Sequence, residues 1–239
     1  MQNKTYSQTT SATIDEGLRG YMLKVYNFMA GGLCITSLAA WLVANTSLIN
    51  VFFNVTPQGA TLSGFGWLAL IAPLIMVFAF NWVVNSGTAK QVQLLFWSYA
   101  AIMGISLTPI FLLYTQSSLV RVFLITAGSF GALSLYGYTT KRDLTGFGSF
   151  LYMGLFGLII AMIVNIFLKS SGLDWALSFL GVGIFSGLTA YDSQKIRQIY
   201  ASTDNDEIIT KKALSGALSL YLDFINLFLY LLRFLGDRR

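Results

Sequence analysis

Histidine is absent from the 239 residues, cysteine occurs once, proline three times, and only 10% of the side chains are charged. Without imidazole there is no Ser-His-Asp triad, no Cys-His pair, no histidine-ligated zinc and no imidazole pH switch. The lone Cys34 cannot close an intrachain disulfide or build a thiolate metal cluster, and in its apolar run it reads as a small buried residue. So low a charge content, against roughly 25% in a soluble domain, excludes an ordinary water-soluble fold. Twenty-two glycines without a collagen-like period exclude a fibrous chain.

What the chain has instead is apolar length: 55% of residues are hydrophobic and the mean hydropathy is +0.66. A transmembrane helix takes about 20 mostly apolar residues. Seven such runs lie between charges or turn residues: Val25 to Ala44, Gly64 to Val84, Val92 to Tyr114, Leu119 to Tyr138, Phe150 to Leu168, Leu173 to Asp192 and Ala213 to Leu235. The fold class is therefore an all-α polytopic membrane protein with seven transmembrane helices. Residues 1–24 form an N-terminal cytoplasmic tail and residues 25–239 one seven-helix domain. Asp15, Glu16, Arg19 and Lys24 precede the first run without a separate apolar core, which argues against a cleaved signal peptide.

Lys and Arg set the orientation. With the N-terminus inside, ten cations fall on the inner side (Lys4, Arg19, Lys24, Lys90, Lys141, Arg142, Lys195, Arg197, Lys211, Lys212) and four outside (Arg121, Lys169, Arg238, Arg239). Seven spans then put the C-terminus outside. The net charge of +5 is accounted for by this topology and calls for no nucleic-acid partner. Small residues recur inside the runs: Gly31 and Gly32; Gly128, Gly131 and Ala132; Gly154, Gly157 and Ala161; Gly181, Gly183 and Gly187. At three- or four-residue spacing they let helix backbones approach closely, so they are expected to be packing positions. Pro73 and Pro109 fall inside the second and third runs, where each removes a backbone donor.

An ionisable residue within hydrocarbon is costly and marks a functional candidate. Arg121 and Arg233 lie near span ends, where long side chains reach the interface, and Asp174 lies at the mouth of the sixth span. That leaves Asp223, about 16 Å deep counting from Lys212 at 1.5 Å per residue, and Asp192 at the inner end of the sixth span. Ser215, Ser219, Asp223, Asn226, Tyr230 and Arg233 follow one another at spacings of 4, 4, 3, 4 and 3, one continuous helical face. Such a stripe is turned away from lipid, either toward a water-lined path or into a helix-packing network. Asp192 has two readings as well. It could pair with Lys195 one turn on, or face the bundle on the weaker polar face that Thr189 and Ser186 continue, with Ser193 beside it.

If the two carboxylates meet, both cannot remain ionised at close range in a poorly solvated site. The pair is expected to share a proton and titrate as a unit. Carboxylate and hydroxyl oxygens also suit Ca²⁺, but two aspartates fall short of the about 6 to 8 oxygens of a tight site. Asp192 and Asp223 thus make at most a weak, transient metal site, and no cofactor is expected.

At these residues the chain resembles the bacterial inner-membrane members of the Bax inhibitor-1 family. The stretches that carry the likeness are Thr126-Ala127-Gly128 with Phe130-Gly131-Ala132, then Leu135 to Leu144, Gly187 to Asp192 and Leu220 to Phe228. It covers nearly all of the chain after Gly20, and the two aspartate motifs are its most specific part. The resemblance implies a last helix that is central and surrounded by six others. It implies that Asp192 and Asp223 are the paired aspartates of a pH-dependent calcium leak. On the polar helix faces themselves, Thr189, Ser193, Ser215, Ser219, Asn226 and Tyr230 are the residues expected to support or line such a path. The chain departs from it at one place: some members hold the pair with a basic residue on the second span, and Gly64 to Val84 contains no Lys or Arg.

The leading expectation is a pH-sensitive calcium or cation leak channel in the bilayer. The alternative is a non-transporting regulator that binds a membrane protease or another membrane complex. An intramembrane aspartyl protease also carries two aspartates on consecutive helices, one after a tyrosine as in Tyr191-Asp192. Its second aspartate follows Gly-x-Gly, however, whereas Asp223 follows Leu220-Tyr221-Leu222, and no Pro-Ala-Leu occurs in or near the last span. No enzyme activity is expected. A retinal receptor lacks its mid-span lysine here.

Overall fold

A computed structural model of the chain describes residues 2–56 and 59–239, with side chains over 16–54 and 61–239. The helices are α1 (Gln2–Asn45), α2 (Ile49–Phe52), α3 (Gly64–Ser86), α4 (Ala89–Leu113), α5 (Gln116–Thr139), α6 (Thr145–Leu168), α7 (Ser171–Gln198) and α8 (Asp206–Leu235). All but α2 are long and apolar enough to cross a membrane, the first over Glu16–Asn45. In hydrocarbon every backbone N–H and C=O must find its partner within the protein, which is why apolar runs of this length fold as helices. Helix α8 has 30 residues, about 45 Å at 1.5 Å each, so it has the length to cross and does not turn back. It is also the most buried of the seven spans, with 56% of its apolar window enclosed.

Local chemistry sets the helix ends. Ser63 caps α3 by accepting from the Gly66 N–H, and Thr115 caps α5 by accepting from that of Ser118. Asn205 Oδ1 accepts from the Ile208 N–H at the start of α8, where Asp206 and Glu207 also complement the helix dipole. Lys169 ends α6 in the left-handed region at φ 49°, with Asn165 Oδ1 accepting from the N–H of Ser170. Between α2 and α3 lies a two-stranded antiparallel hairpin, β1 (Phe53–Thr56) with β2 (Gly59–Leu62), which the span-by-span reading of the sequence does not foresee.

The chain divides into two compact units. The first comprises Met1–Pro109 and Ile196–Leu218. Within it α1 and α4 meet where the Thr36 hydroxyl donates to the carbonyl of Ala100 at 2.8 Å, and where a side chain on Gly104 would strike the Thr36 backbone. Phe28, Phe96 and Trp97 form an aromatic cluster, and Ser106 donates to the carbonyl of Ala69 on α3. At one end Lys24 donates to Thr210, Lys211 to the carbonyl of Gly87, and Lys212 pairs with Asp204 at 2.5 Å.

The second unit comprises Ile110–Lys195 and Ser219–Arg239. Its core is Leu151, Leu158, Leu177, Phe185, Leu188, Leu227 and Tyr230. Close helix approach rests on specific glycines: Gly137 of α5 lies on the Ala190 backbone of α7, Gly148 of α6 on the Tyr191 ring, and Gly181 of α7 on the Tyr230 ring. This corrects the sequence expectation in part. Gly31, Gly181 and Gly187 do pack, against Trp97, Tyr230 and Leu151, but Gly128, Gly131, Gly157 and Gly183 face open space. The spacing alone could not separate the two groups, because a small residue is as compatible with a lipid-facing position as with a crossing. Cys34 is a second correction: it is exposed, on the outside of its helix.

The chain's last residues fold back onto the α4–α5 turn of this unit. Tyr114 and Arg238 form an antiparallel bridge, the Thr115 N–H donates to the Asp237 carbonyl and that of Arg239 to the Leu113 carbonyl. Arg121 donates to the Leu235 carbonyl and pairs with Asp237 at 2.9 Å. The backbone of this basic tail is thus tied to the α4–α5 turn.

Candidate functional site

Both sequence-selected aspartates lie in the second unit and both are buried, Asp192 at 6% and Asp223 at 5% exposure. Asp192 sits on α7 just past the point where Gly137 of α5 and Gly148 of α6 let the three helices draw together. Neighbouring bonds fix that register: the Ser134 and Ser193 hydroxyls bond at 2.7 Å, and the Gln194 amide donates to the Arg142 carbonyl and accepts from the Leu144 N–H. Asp223 sits on α8 between the buried Leu220, Phe224 and Leu227, with Phe224 in edge contact with Phe123 and Phe130 of α5.

The two acids are not equivalently satisfied. Asp192 Oδ1 accepts from the Tyr152 hydroxyl of α6 at 3.3 Å. Asp223 Oδ2 is buried and accepts from nothing. The Asp192 charge bears on Asp223, and both charges bear on Tyr152, so the three groups form one electrostatic cluster. Neither carboxylate belongs to an ion pair among the described residues. Lys195 attracts Asp192 from a distance, but its ammonium lies 6.0 Å from the Tyr191 ring centroid, so the simple one-turn pair is not made.

The other sequence-selected groups differ in what occupies them. Thr189 is fully buried and donates to the Phe185 carbonyl, and Ser193 donates to that of Thr189. Asn226 donates to the Leu222 carbonyl of its own helix. Tyr230 stacks on Phe185 and donates to the sulfur of Met162 at 3.1 Å, inside the core. Ser219 is half-buried in the second unit and Ser215 half-buried in the first. Tyr152 and Ser134 belong to the cluster and its frame, yet neither stands out in the sequence. Each is a single polar residue in an apolar run, and only the fold reveals which helix it faces.

Among the described residues no three His, Cys, Asp or Glu side chains converge as a metal site. What the fold and site define is a seven-span helical membrane protein with two buried carboxylates that belong to no ion pair among the described residues. The particular family follows from comparison with known proteins. The family model described as "Inhibitor of apoptosis-promoting Bax1" matches residues 18–239, and the chain belongs to this Bax inhibitor-1 family. The Inner membrane protein YbhL of Escherichia coli (strain K12) is 44% identical over 226 residues, covering 93% of this chain and 94% of the relative. An uncharacterized protein of Rickettsia prowazekii is 48% identical over 237 residues, 99% of this chain and 98% of its own length. One of Caulobacter vibrioides is 42% identical over 246 residues, again 99% and 98%.

Proposed function

We propose that the chain is a pH-sensitive leak channel for calcium or other cations in a bacterial inner membrane, with its N-terminus in the cytoplasm and Asp192 and Asp223 as sensor and gate. The observation that carries this reading is the buried Asp223 oxygen without a donor, in the field of a second buried carboxylate. A carboxylate so placed is relieved by a proton, a water or a passing cation, and among the described residues no lysine or arginine pairs with it instead. Proton and cation therefore compete for the same oxygens. Two aspartates fall well short of the about 6 to 8 oxygens of a storage site, which favours passage over retention.

Ser215, Ser219 and Asn226 continue the polar face of α8 above and below Asp223 and are the proposed lining. Thr189, Ser193 and Tyr230 support it by fixing α7 and α8. The test is Ca²⁺ flux from dye-loaded proteoliposomes across a pH series. Wild type is expected to leak with a pH midpoint, and Asp192→Asn and Asp223→Asn to lose at least about tenfold of the pH-dependent change, as for a coupled pair. Wild-type profiles in both variants would overturn the proposal and leave a non-transporting partner of a membrane protease or other complex as the alternative.

A further inference from the structure

The cluster contains one group with no role yet assigned, the Tyr152 phenol. Its hydroxyl is the only hydrogen-bond donor to either buried carboxylate among the described residues. Its ring is held at right angles to that of Tyr191 with centroids 6.0 Å apart, and Tyr191 is the residue directly before Asp192. One turn earlier on α6, Gly148 leaves room for the same Tyr191 ring, which a Cβ at that position would strike. Gly148 and Tyr152 thus grip Tyr191 from one face of α6 and set where the next side chain begins. At 3.3 Å the phenol–carboxylate contact is longer than the about 2.5 to 3.0 Å usual for O–H···O, so a small shift of α6 or α7 tightens or breaks it.

We infer that Tyr152 is the positioning residue of the aspartate pair, its hydroxyl orienting Asp192 and setting the proton concentration at which that contact is released. The inference rests on the channel reading above and deepens it. A donor to a carboxylate favours the charged form over the neutral one. The other ionisable groups bearing on Asp192 are Lys195 from its own helix and Asp223 from α8, and those bearing on Tyr152 are the two aspartates and Tyr191. None of these is a hydrogen-bond donor to Asp192, so removing the phenol hydroxyl removes the donor and leaves the charges in place.

Tyr152→Phe keeps the ring and its contact with Tyr191. The variant is compared with wild type by proteoliposome Ca²⁺ flux over a pH series, and separately by infrared difference spectroscopy of the protonated carboxyl band, with Asp192→Asn identifying the Asp192 contribution. The midpoint of both profiles is expected to move to higher pH by at least about threefold in proton concentration, because loss of the donor makes the proton easier to bind. A flux midpoint and carboxyl band unchanged in Tyr152→Phe, with wild-type flux pH-dependent, would overturn the role of Tyr152 and leave the channel reading standing. A carboxyl titration that moves while wild-type vesicles stay silent would support the Tyr152 contact and overturn the channel.

Discussion

Helices α6 and α8 invert the relation between apolarity and burial that holds in water. The spanning window of α6 has a mean hydropathy of 2.4 and is 11% buried, whereas that of α8 has 1.6 and is 56% buried. Phe156, Ile160 and Phe167 of α6 are more than 60% exposed, while Leu214, Leu220, Tyr221 and Leu227 of α8 are fully enclosed alongside Asp223. Lipid tails are as apolar as leucine, so no hydrophobic drive pulls α6 inward, and helices are sorted by packing and polar contacts instead. The helix that carries serines, an aspartate and an asparagine is therefore the one with most to gain from enclosure.

The sharpest way to break this comparison uses two glycines on α5. Gly137→Leu places a side chain against the Ala190 backbone and is expected to cost about 3 kcal/mol in reversible unfolding from mixed micelles, whereas Gly131→Leu, facing open space, changes it by less than about 0.5 kcal/mol. Equal losses would mean that small residues act through helix propensity rather than approach. Next in size is Leu227→Ala on α8, expected to cost about 1 to 3 kcal/mol through the void it leaves, set against Phe156→Ala on α6 at under about 0.5 kcal/mol. A costly Phe156→Ala would show that α6 is covered in the folded protein.

A third comparison separates the two readings of the polar face of α8. An unpartnered buried carboxylate gives no support to packing, so Asp223→Asn is expected to leave thermal stability unchanged or raise it by up to about 1 kcal/mol. A clear loss would place Asp223 in a packing network.

The smallest effect lies outside the spans. Asp143 accepts from both the backbone N–H and the hydroxyl of Thr145, and these bonds hold its carboxyl below the ordinary carboxylate range. A carboxyl lowered by folding stabilises above its unfolded value, about 3.9, and that contribution is lost as pH falls through the folded value. Thr145→Ala is therefore expected to be slightly less stable than wild type at pH 7 and to converge with it as pH falls below about 4, with a slightly flatter acid limb. Because Asp143 is fully exposed, the difference is expected to be small.

Fold class was legible because length and charge density are properties of the chain itself. All seven apolar runs became helices, most reaching past the run into polar residues at one or both ends, α1 furthest of all, while Ser63 starts α3 where its run starts and Tyr114 falls just outside α4. The two aspartates were legible because an acid in an apolar run is conspicuous wherever the run packs. Their partners were not. Tyr152 is one of twelve tyrosines, and nothing along α6 says that its hydroxyl faces α7. Equally hidden was the sidedness of single helices: Cys34 faces outward and Gly128 and Gly131 lie open, while Gly137 and Gly148 sit at crossings. A period of 3.6 residues gives faces, but in lipid the apolar face and the packed face share one vocabulary.

The strap formed by residues 236–239 has a practical consequence. Gly236 fits against Tyr114, the Asp237 N–H is bonded to Ser118 Oγ, and the Arg239 N–H is spent on Leu113. A purification tag or fluorescent reporter joined behind Arg239 would hang from residues already committed to the α4–α5 turn and would pull on that seam. Cargo fused ahead of Met1 avoids this, and flux recorded from the two fusions side by side would reveal how much the strap steadies the far end of α8.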